Sequence, residues 1–595
     1  MHKDWRLTPL KALTVTLAAC ALALNAHGAF AEGLPSGGST DPDSYAKSYV
    51  LEASGATWGD AQDAAVIASG GTVTFKHIGS GLGVASSSDP VFIRKALKSP
   101  AFTRVSEDLT VQWQDPNEQV QVVDTALEED AVTPGNETFI NLQWNIKAID
   151  AQGAWNAGYD GLGVRVAVID GGMCSAAIDI APNLDVAHSA SFVPGFAYDQ
   201  DVGGAGTFRH ACHVAGIIAA ADNSIGTIGV APRATIIGVK ALHNGSGSFG
   251  QVMSAILYSA TSIADGGAGA DIINMSLGAV IPRGGGNTGV GGLIAAMNRA
   301  VNYATAHNVL VVSAAGNNAL DLDHSGNLIE LPGMSGSGIA VSATAPVGYA
   351  VGYPNSTADP RAIASYTNYG HSIVSLAAPG GDSALPGNAL CSIPRVPSGS
   401  VTTNCWVFDL VISPGSQNNS YFFAAGTSMA TPVVAGVAAL VRQRFPGISV
   451  GDLKSFLLAT ADDEGANGAD PFYGHGFVNA NRAATEPLSI IGNNPVVESV
   501  APATGVELSV TRKSGSSIPE ITFATHKAGP VRVELFDLAG RNVVTLYNGV
   551  AAAGRTTVTW NGRSSHGKEL SRGAYFARVR ADGAQAVQKM LLLGN

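Results

Sequence analysis

The chain has 595 residues, a formal net charge of −12, 72 glycines and only 13% charged residues, about half the charged share of an average soluble domain. That length is enough for several domains and a large core, and an acidic balance with no basic stripe argues against nucleic acid as a partner. Few charges and many small residues describe a chain rich in turns and tight packing.

Residues 1–31 read as a secretory signal peptide. Lys3, Arg6 and Lys11 precede an apolar run from Ala12 to Leu24, and Ala29-Phe30-Ala31 supplies an A-x-A cleavage site before Glu32. The run falls short of the ~20 apolar residues a membrane span requires, and no later run reaches that length. A secreted protein without a transmembrane anchor is expected. The alternative is a lipid anchor on Cys20 in Leu17-Ala18-Ala19-Cys20, but the apolar run continues past Cys20.

From Glu32 the chain changes character. Strand patterns at Tyr49–Glu52, Gly71–Phe75, Gly81–Ala85 and Leu109–Trp113 alternate with helix patterns at Trp58–Ser69 and Asp89–Leu97, the second capped by Asp89 with Pro90 at its first position. This β-α-β-β-α-β order is a ferredoxin-like split unit. Gln114 to Glu137 is polar and acidic, with Glu128-Glu129-Asp130 and Pro134-Gly135, and suits an exposed, cleavable linker. The first domain is thus expected over 32–137.

Residues 138–486 carry the chemistry. Val164 to Gly172 is a β-branched, apolar strand that ends in Asp170 and a glycine turn. His210 heads a helix of small residues, His210 to Ala220. The strand ending Val239-Lys240-Ala241-Leu242 precedes Ser246-Gly247-Ser248, and the strand Ile272–Met275 precedes Ser276-Leu277-Gly278. Val309 to Asn317 is another uncharged strand, closing on Asn317. In open α/β sheets functional groups collect at such carboxyl ends. The stretch from Gly380 to Tyr421 is long and rich in Pro, Gly and Ser, with Cys391 and Cys405 inside it; long loops of this kind are often functional or tied down. In Ala424-Ala425-Gly426-Thr427-Ser428-Met429-Ala430-Thr431-Pro432 a turn presents one hydroxyl just before an apolar helix. Ser428 therefore lies near a helix N-terminus, where N–H groups favour a developing negative charge.

Glu486 to Pro519 reads as linker (487–517) plus a first strand, with a separate domain over 518–595. There Val531–Phe536, Thr557–Trp560 and Ala574–Val579 alternate apolar and polar residues between turn signals at Ala539-Gly540, Asn561-Gly562, His566-Gly567 and Arg572-Gly573. Short alternating strands at regular spacing indicate a β-sandwich.

Asp170, His210 and Ser428 in that order, each in the strand or helix setting just described, resemble a subtilisin-like serine peptidase over roughly Trp144 to Ala484. The resemblance implies an α/β fold with a mainly parallel sheet flanked by helices. It implies that Ser428 is the nucleophile, that His210 is the general base and later the acid, and that Asp170 orients the imidazole. Asn317 and the Ser428 N–H would hold the oxyanion. Ser246-Gly247 and Ser276-Leu277-Gly278 would bind an extended polypeptide by main-chain hydrogen bonds. Leu331-Pro332-Gly333 resembles the floor of the family's specificity pocket, with Gly333 in it and Glu330 near the base. A carboxylate there could pair with a basic substrate side chain, or Glu330 could point to solvent, since carboxylates are rarely buried.

Residues 221–227 resemble the family's calcium loop: Asn223 offers a side-chain oxygen, Ala221, Ile225 and Thr227 offer carbonyls, and Asp179 offers a carboxylate. A metal-free turn is the alternative, and no cofactor is expected for catalysis. The 32–137 region resembles the family's propeptide, an intramolecular chaperone and inhibitor, which implies autoprocessing. One departure is His210-Ala211-Cys212-His213 where the family has His-Gly-Thr-His; it affects local packing more than proton transfer. Reading those residues as a metal site lacks the His-Glu-x-x-His pattern. Asp537-Leu538-Ala539-Gly540-Arg541, Trp560-Asn561-Gly562, Gly567-Lys568 and Gly573-Ala574-Tyr575 resemble the immunoglobulin-like domain of flagellar hook-capping proteins and secreted-enzyme tails. That implies contact with a surface or the secretion machinery.

With Cys20 in the signal peptide, Cys174, Cys212, Cys391 and Cys405 remain, an even number that favours disulfides in an exported protein. Four cysteines allow three pairings. Cys391–Cys405 closes one loop, and Cys174–Cys212 joins the two segments that the resemblance brings together; two buried free thiols are the alternative. The expectation is a secreted, autoprocessed serine endopeptidase acting on polypeptides. The competing reading is a surface-binding or assembly protein whose peptidase-like domain is inert, and its expected mark is loss of Asp170, His210, Asn317 or Ser428.

Overall fold

A computed structural model describes residues 46–114, 119–123, 137–284 and 286–493, and in the C-terminal region 506–511, 520–525, 529–537, 541–551, 554–558, 560, 563–564, 570, 573–581 and 584–592. The signal-peptide segment with Cys20 and much of both linkers lie outside the described residues.

The N-terminal domain is built from β1 (Lys47–Ala53), α1 (Asp60–Ala68), β2 (Thr72–His77), β3 (Leu82–Ser87), α2 (Phe92–Ala96) and β4 (Phe102–Glu107). Its antiparallel sheet runs β2-β3-β1-β4. Tyr49, Leu51, Val66, Phe92 and Val105 meet in a small core under the two helices. The expected element order holds with one correction: the sheet's last strand is Phe102–Glu107, not Leu109–Trp113. Asp108 turns the chain off the sheet, its carboxylate accepting from Ser48 Oγ at 2.9 Å and from the Gly250 N–H at 2.8 Å. Two short strands follow, β5 (Thr110–Gln112) and β6 (Gln119–Val123), and both pair with the domain beyond.

That domain continues with α3 (Trp144–Ala148), α4 (Ala151–Asn156), β7 (Arg165–Asp170), β8 (Ala190–Ser191), α5 (His210–Ala219), β9 (Thr235–Lys240), β10 (Ser246–Ser248) and α6 (Phe249–Ala260). Then come β11 (Ile272–Met275), β12 (Ala279–Pro282), α7 (Val290–Ala306), β13 (Leu310–Ala314), β14 (Leu328–Leu331), β15 (Ile339–Thr344) and β16 (Leu376–Pro379). The central sheet is seven-stranded and parallel, in the order β16-β15-β13-β11-β7-β9-β8. Between their end residues its strands carry no charge, because both faces are covered. Val166 and Val168 of β7 pack toward α5, while Ala167 and Ile169 pack toward α6 and α7.

The long connection after Gly380 is structured. It forms a hairpin, β17 (Leu390–Pro394) and β18 (Ser400–Asn404), closed by the Cys391–Cys405 disulfide. β19 (Val411–Pro414) and β20 (Tyr421–Ala425) follow, and β6 pairs antiparallel on the free edge of β20. The chain then enters α8 (Thr427–Arg444), whose buried residues pack against the same face of the sheet as α5.

Farther on, β21 (Val506–Thr511), β22 (Glu520–Thr525) and β25 (Gly554–Val558) form one antiparallel sheet. β24 (Asn542–Ala551), β23 (Gly529–Phe536), β26 (Gly573–Ala581) and β27 (Ala584–Leu592) form a second. Ile521 and Phe523 from the first meet Val533, Leu535, Ala577 and Val579 from the second in a separate core. β21 lies inside 487–517, so this domain begins earlier than residue 518. The alternation of Val506, Leu508 and Val510 is the strand signal there.

Candidate active site

Asp170 is the last residue of β7 and His210 the first of α5, so the sheet edge and the helix head bring the two together. His210 Nδ1 lies 2.7 Å from Asp170 Oδ2, both side chains buried. The Gly171 N–H donates to Asp170 Oδ1 at 2.6 Å. A Cys174–Cys212 disulfide ties the loop after β7 to the first turn of α5. His213, one turn on, is fully buried. Its Nε2 lies 2.9 Å from the Phe422 carbonyl oxygen, and burial pushes its pKa down to about 3. It is a neutral core histidine, and with Cys212 bonded to Cys174 the metal reading of this segment falls away.

Ser428 is the second residue of α8 and nearly buried. Its Oγ lies 3.4 Å from the Ser276 carbonyl oxygen, and Ser276 Oγ donates back to the Ser428 carbonyl at 2.7 Å. Asn317 follows β13. Its Oδ1 accepts from both the Thr427 N–H at 2.9 Å and Thr427 Oγ1 at 2.7 Å, which leaves its Nδ2 as the donor for the cleft it lines with Ser428.

That cleft, of about 380 Å³, is also lined by Leu277, Gly278 and Glu330, and by Gln112, Trp113 and Gln114 of the N-terminal region. β5 pairs antiparallel with β10, Gln112 opposite Ser246 and Val111 opposite Gly247. The Gly278 N–H donates to the Trp113 carbonyl at 2.8 Å, and the Trp113 indole donates to the Gly247 carbonyl at 2.8 Å. Residues 110–114 therefore lie as an extended peptide between the two strand edges expected to bind one. Gln114 Nε2 donates to Asp170 Oδ1 at 2.7 Å and lies 2.8 Å from His210 Nδ1. The chain is anchored again where Gln119 pairs with Ala425, two residues before Thr427. The expectation of an exposed linker over 114–137 is corrected at both ends: Gln114 is half-buried on the Asp–His pair and Glu137 is fully buried. Gln114 went unrecognised because nothing local to it signals a partner 96 residues away.

Gly333 is not among the residues lining the cleft and packs near the Ala314 carbonyl; Glu330, on β14, does line it. Glu330 is 1% exposed, so the solvent-pointing alternative is overturned. Its Oε1 has no hydrogen-bond partner among the described residues, and burial raises its carboxyl well above the usual range.

In the 221–227 loop, Asn223 Nδ2 donates to Asp179 Oδ1 at 3.1 Å and Asn223 Oδ1 accepts from the Ile225 N–H at 3.0 Å. Asp179 Oδ2 accepts from the Thr227 N–H and from Tyr421 Oη. The Ala221 N–H donates to the Asp179 carbonyl. Burial pushes the Asp179 carboxyl up to about 7, with Glu137 adding repulsion. Glu137, missed in the sequence, accepts from the Asn223 and Ser224 N–H groups, while its Oε2 is buried with no hydrogen-bond partner among the described residues. Two crowded carboxylates and an orphaned oxygen fit a hard cation. Among the described residues no group of three or more His, Cys, Asp or Glu side chains is arranged to hold a metal, so such a cation would also draw on the amide and carbonyl oxygens.

Residues 161–476 match the subtilase family, Peptidase S8, and residues 509–585 match the FlgD Ig-like domain. The chain is 34% identical over 344 residues to Subtilisin Savinase of Lederbergia lenta, covering 58% of this chain and 98% of that one. It is also 34% identical over 344 residues to an alkaline protease of Alkalihalobacillus alcalophilus, covering 58% and 70%. Among solved structures, the epidermin leader peptide processing serine protease EpiP from Staphylococcus aureus aligns with a TM-score of 0.56 at 19% identity, over 76% of this chain and 99% of that one. That last likeness is one of fold.

Proposed function

We propose, on the premise that the chain belongs to the subtilase family and is a subtilisin-like serine endopeptidase, that it is secreted as a zymogen and matures by cutting itself. In this reading residues 1–31 direct export, the region up to 137 is a propeptide and inhibitor, residues 138–486 are the peptidase, and the C-terminal domain makes surface or secretion contacts. Ser428 Oγ attacks the scissile carbonyl while His210 Nε2 takes its proton. Asp170 holds the imidazole with Nδ1–H facing its carboxylate and stabilises the cation that forms. Asn317 Nδ2 and the Ser428 N–H receive the oxyanion at the head of α8. His210 then returns the proton to the leaving amine, and water repeats the cycle on the acyl-enzyme.

The observation that supports this most directly is Gln114 lodged on the Asp170–His210 pair, with β5 held on one side of the cleft and β6 on the other. A propeptide threaded through the cleft both blocks it and offers it a peptide bond. Subtilases need no catalytic cofactor. Glu137, Asp179, Asn223 and the carbonyls of Ala221, Ile225 and Thr227 would hold a structural calcium ion, which would offset the repulsion between the two carboxylates and leave the chemistry untouched. Such a role keeps Glu137 with the mature enzyme, which moves the end of the propeptide from residue 137 to a cut ahead of it.

Expression of Ser428→Ala tests the reading. The variant should accumulate as an uncut proform with no hydrolysis of casein, while the wild-type chain yields a mature N-terminus between residues 115 and 137 by N-terminal sequencing. Normal processing of purified Ser428→Ala would overturn it.

A further inference from the structure

The cleft beside Ser428 ends on a carboxylate. Glu330 projects from β14, which pairs with β12 so that Glu330 sits opposite Val280. Its two oxygens lie between the backbones of Gly278 and Gly316: a Cβ on Gly278 would sit 2.1 Å from Oε1, and one on Gly316 would sit 3.1 Å from Oε2. The two walls of the slot are thus glycine where they pass the carboxylate, and any side chain there would fill the space above it. The floor is an acidic side chain in an otherwise apolar strand, Leu328-Ile329-Glu330-Leu331, and yet it is 1% exposed.

Buried carboxylates are normally satisfied by a cation or by several donors. Glu330 has neither. Among the described residues nothing donates to Oε1, and no charged group on β12, on β14 or in the 314–317 segment contributes to its titration, which burial alone drives. A role in holding the fold together would show as hydrogen bonds, and these are lacking. What the arrangement lacks is a donor entering from the cleft.

We infer that Glu330 is the specificity residue of the primary pocket and selects substrates with arginine or lysine immediately before the scissile bond. This rests on the reading of Ser428 as the nucleophile. Arginine suits the slot better, since a planar guanidinium meets both carboxylate oxygens at once where an ammonium meets them as a point charge.

The propeptide junction accords with this. Residues 114–137 contain no lysine or arginine, so self-cleavage presents a neutral or acidic side chain to the pocket. A tethered segment already in the cleft avoids the entropic cost of a bimolecular encounter and tolerates a poor side chain. Burial favours the protonated form of Glu330 while no cation is bound, which lessens the cost of an unfilled floor. Intermolecular substrates, lacking the tether, depend on the match.

The test uses the processed enzyme and four fluorogenic peptides that differ only in the residue before the cut, Arg, Lys, Phe or Leu, with active enzyme counted by a fluorophosphonate that labels Ser428. Wild-type kcat/KM should favour Arg over Phe by on the order of 100-fold. That ratio should rise with pH, because binding a cation requires Glu330 to release a proton that burial holds above the usual carboxylate range. Glu330→Gln keeps the shape of the side chain and should collapse the ratio and flatten its pH dependence. Equal or better wild-type cleavage after Phe and Leu overturns the inference, and so does a ratio unaffected by Glu330→Gln. Absence of both labelling and hydrolysis in the wild-type enzyme would instead sink the peptidase reading, and the pocket assignment with it.

Discussion

The Gln114 side-chain nitrogen lies 2.8 Å from His210 Nδ1 while also donating to Asp170 Oδ1 at 2.7 Å. Nδ1 cannot serve both neighbours, since it either donates to Asp170 or accepts from Gln114. Donation to a carboxylate is the stronger bond, so the Gln114 amide gains by capping Asp170 and crowding the imidazole. In the proposed mature enzyme Asp170 loses this partner and the imidazole is no longer crowded by it. Gln114→Ala should therefore weaken the hold of the cut propeptide. One hydrogen bond to a charged group contributes about 1.5–3 kcal/mol, so the lag before full activity in progress curves should shorten by roughly 10-fold or more. A lag equal to that of the wild-type chain would assign inhibition to the main-chain pairing of β5 and β6.

The disulfides separate stability from geometry. Cys174–Cys212 closes a loop of 38 residues and Cys391–Cys405 one of 14. Loop closure gives roughly 4 kcal/mol for the first and about 3 kcal/mol for the second. Both Cys174→Ser/Cys212→Ser and Cys391→Ser/Cys405→Ser should lower Tm. Only the first should also lower kcat/KM at temperatures where the protein stays folded, because it alone joins the Asp170 loop to the His210 helix. Equal activity in the two double variants would reduce the first bridge to a staple.

Calcium should act through protons. Without a cation the folded chain holds the Asp179 proton up to about 7, whereas an unfolded aspartate releases it near 3.9. Between those values the folded state binds the extra proton, so calcium-free stability falls as pH rises through that window. A bound cation displaces the proton and abolishes the loss. The rise in Tm from chelator to millimolar calcium should therefore be larger at pH 8 than at pH 5; at 100 times Kd it corresponds to about 2.7 kcal/mol. Glu137→Gln should shrink it. A Tm indifferent to calcium at both pH values would remove the cation from the loop.

Much of the molecule was legible because its signals are local. Asp170 and Asn317 follow β-branched, apolar runs, and His210 and Ser428 head helices, so strand and helix patterns put each at the end of an element, and the resemblance to the subtilisin-like family implied that these ends meet. Leu109–Trp113 misled because a short alternating run reads as a strand wherever it pairs; only its partner, Ser246–Ser248 in place of the N-terminal sheet, shows where the segment lies. Glu330 and Glu137 were obscure for a related reason. A carboxylate is expected at the surface, and what buries these two is the approach of segments distant in sequence, Gly278 and Gly316 in one case and the 221–227 loop in the other. Gln114 carries no chemistry of its own until the chain lays it on Asp170.

The C-terminal domain should be dispensable for chemistry, provided the cut respects the packing. Its core is its own, drawn from Ile521, Phe523, Val533, Leu535, Ala577 and Val579, and none of the proposed catalytic residues lies in it. A truncation at Ser489 would be a poor test, because Ile490 and Ile491 pack on the core of the peptidase domain. Both are half-buried, so removing them uncovers part of that core at a cost below the roughly 1.5–3 kcal/mol of a fully buried side chain. A chain ending after Asn493 keeps both. It should process itself and hydrolyse small fluorogenic peptides with the kcat/KM of the full chain, and any deficit should appear only in secretion yield or in attachment to a surface. If a folded chain ending at Asn493 fails to cleave small peptides, the sandwich is part of the catalytic unit.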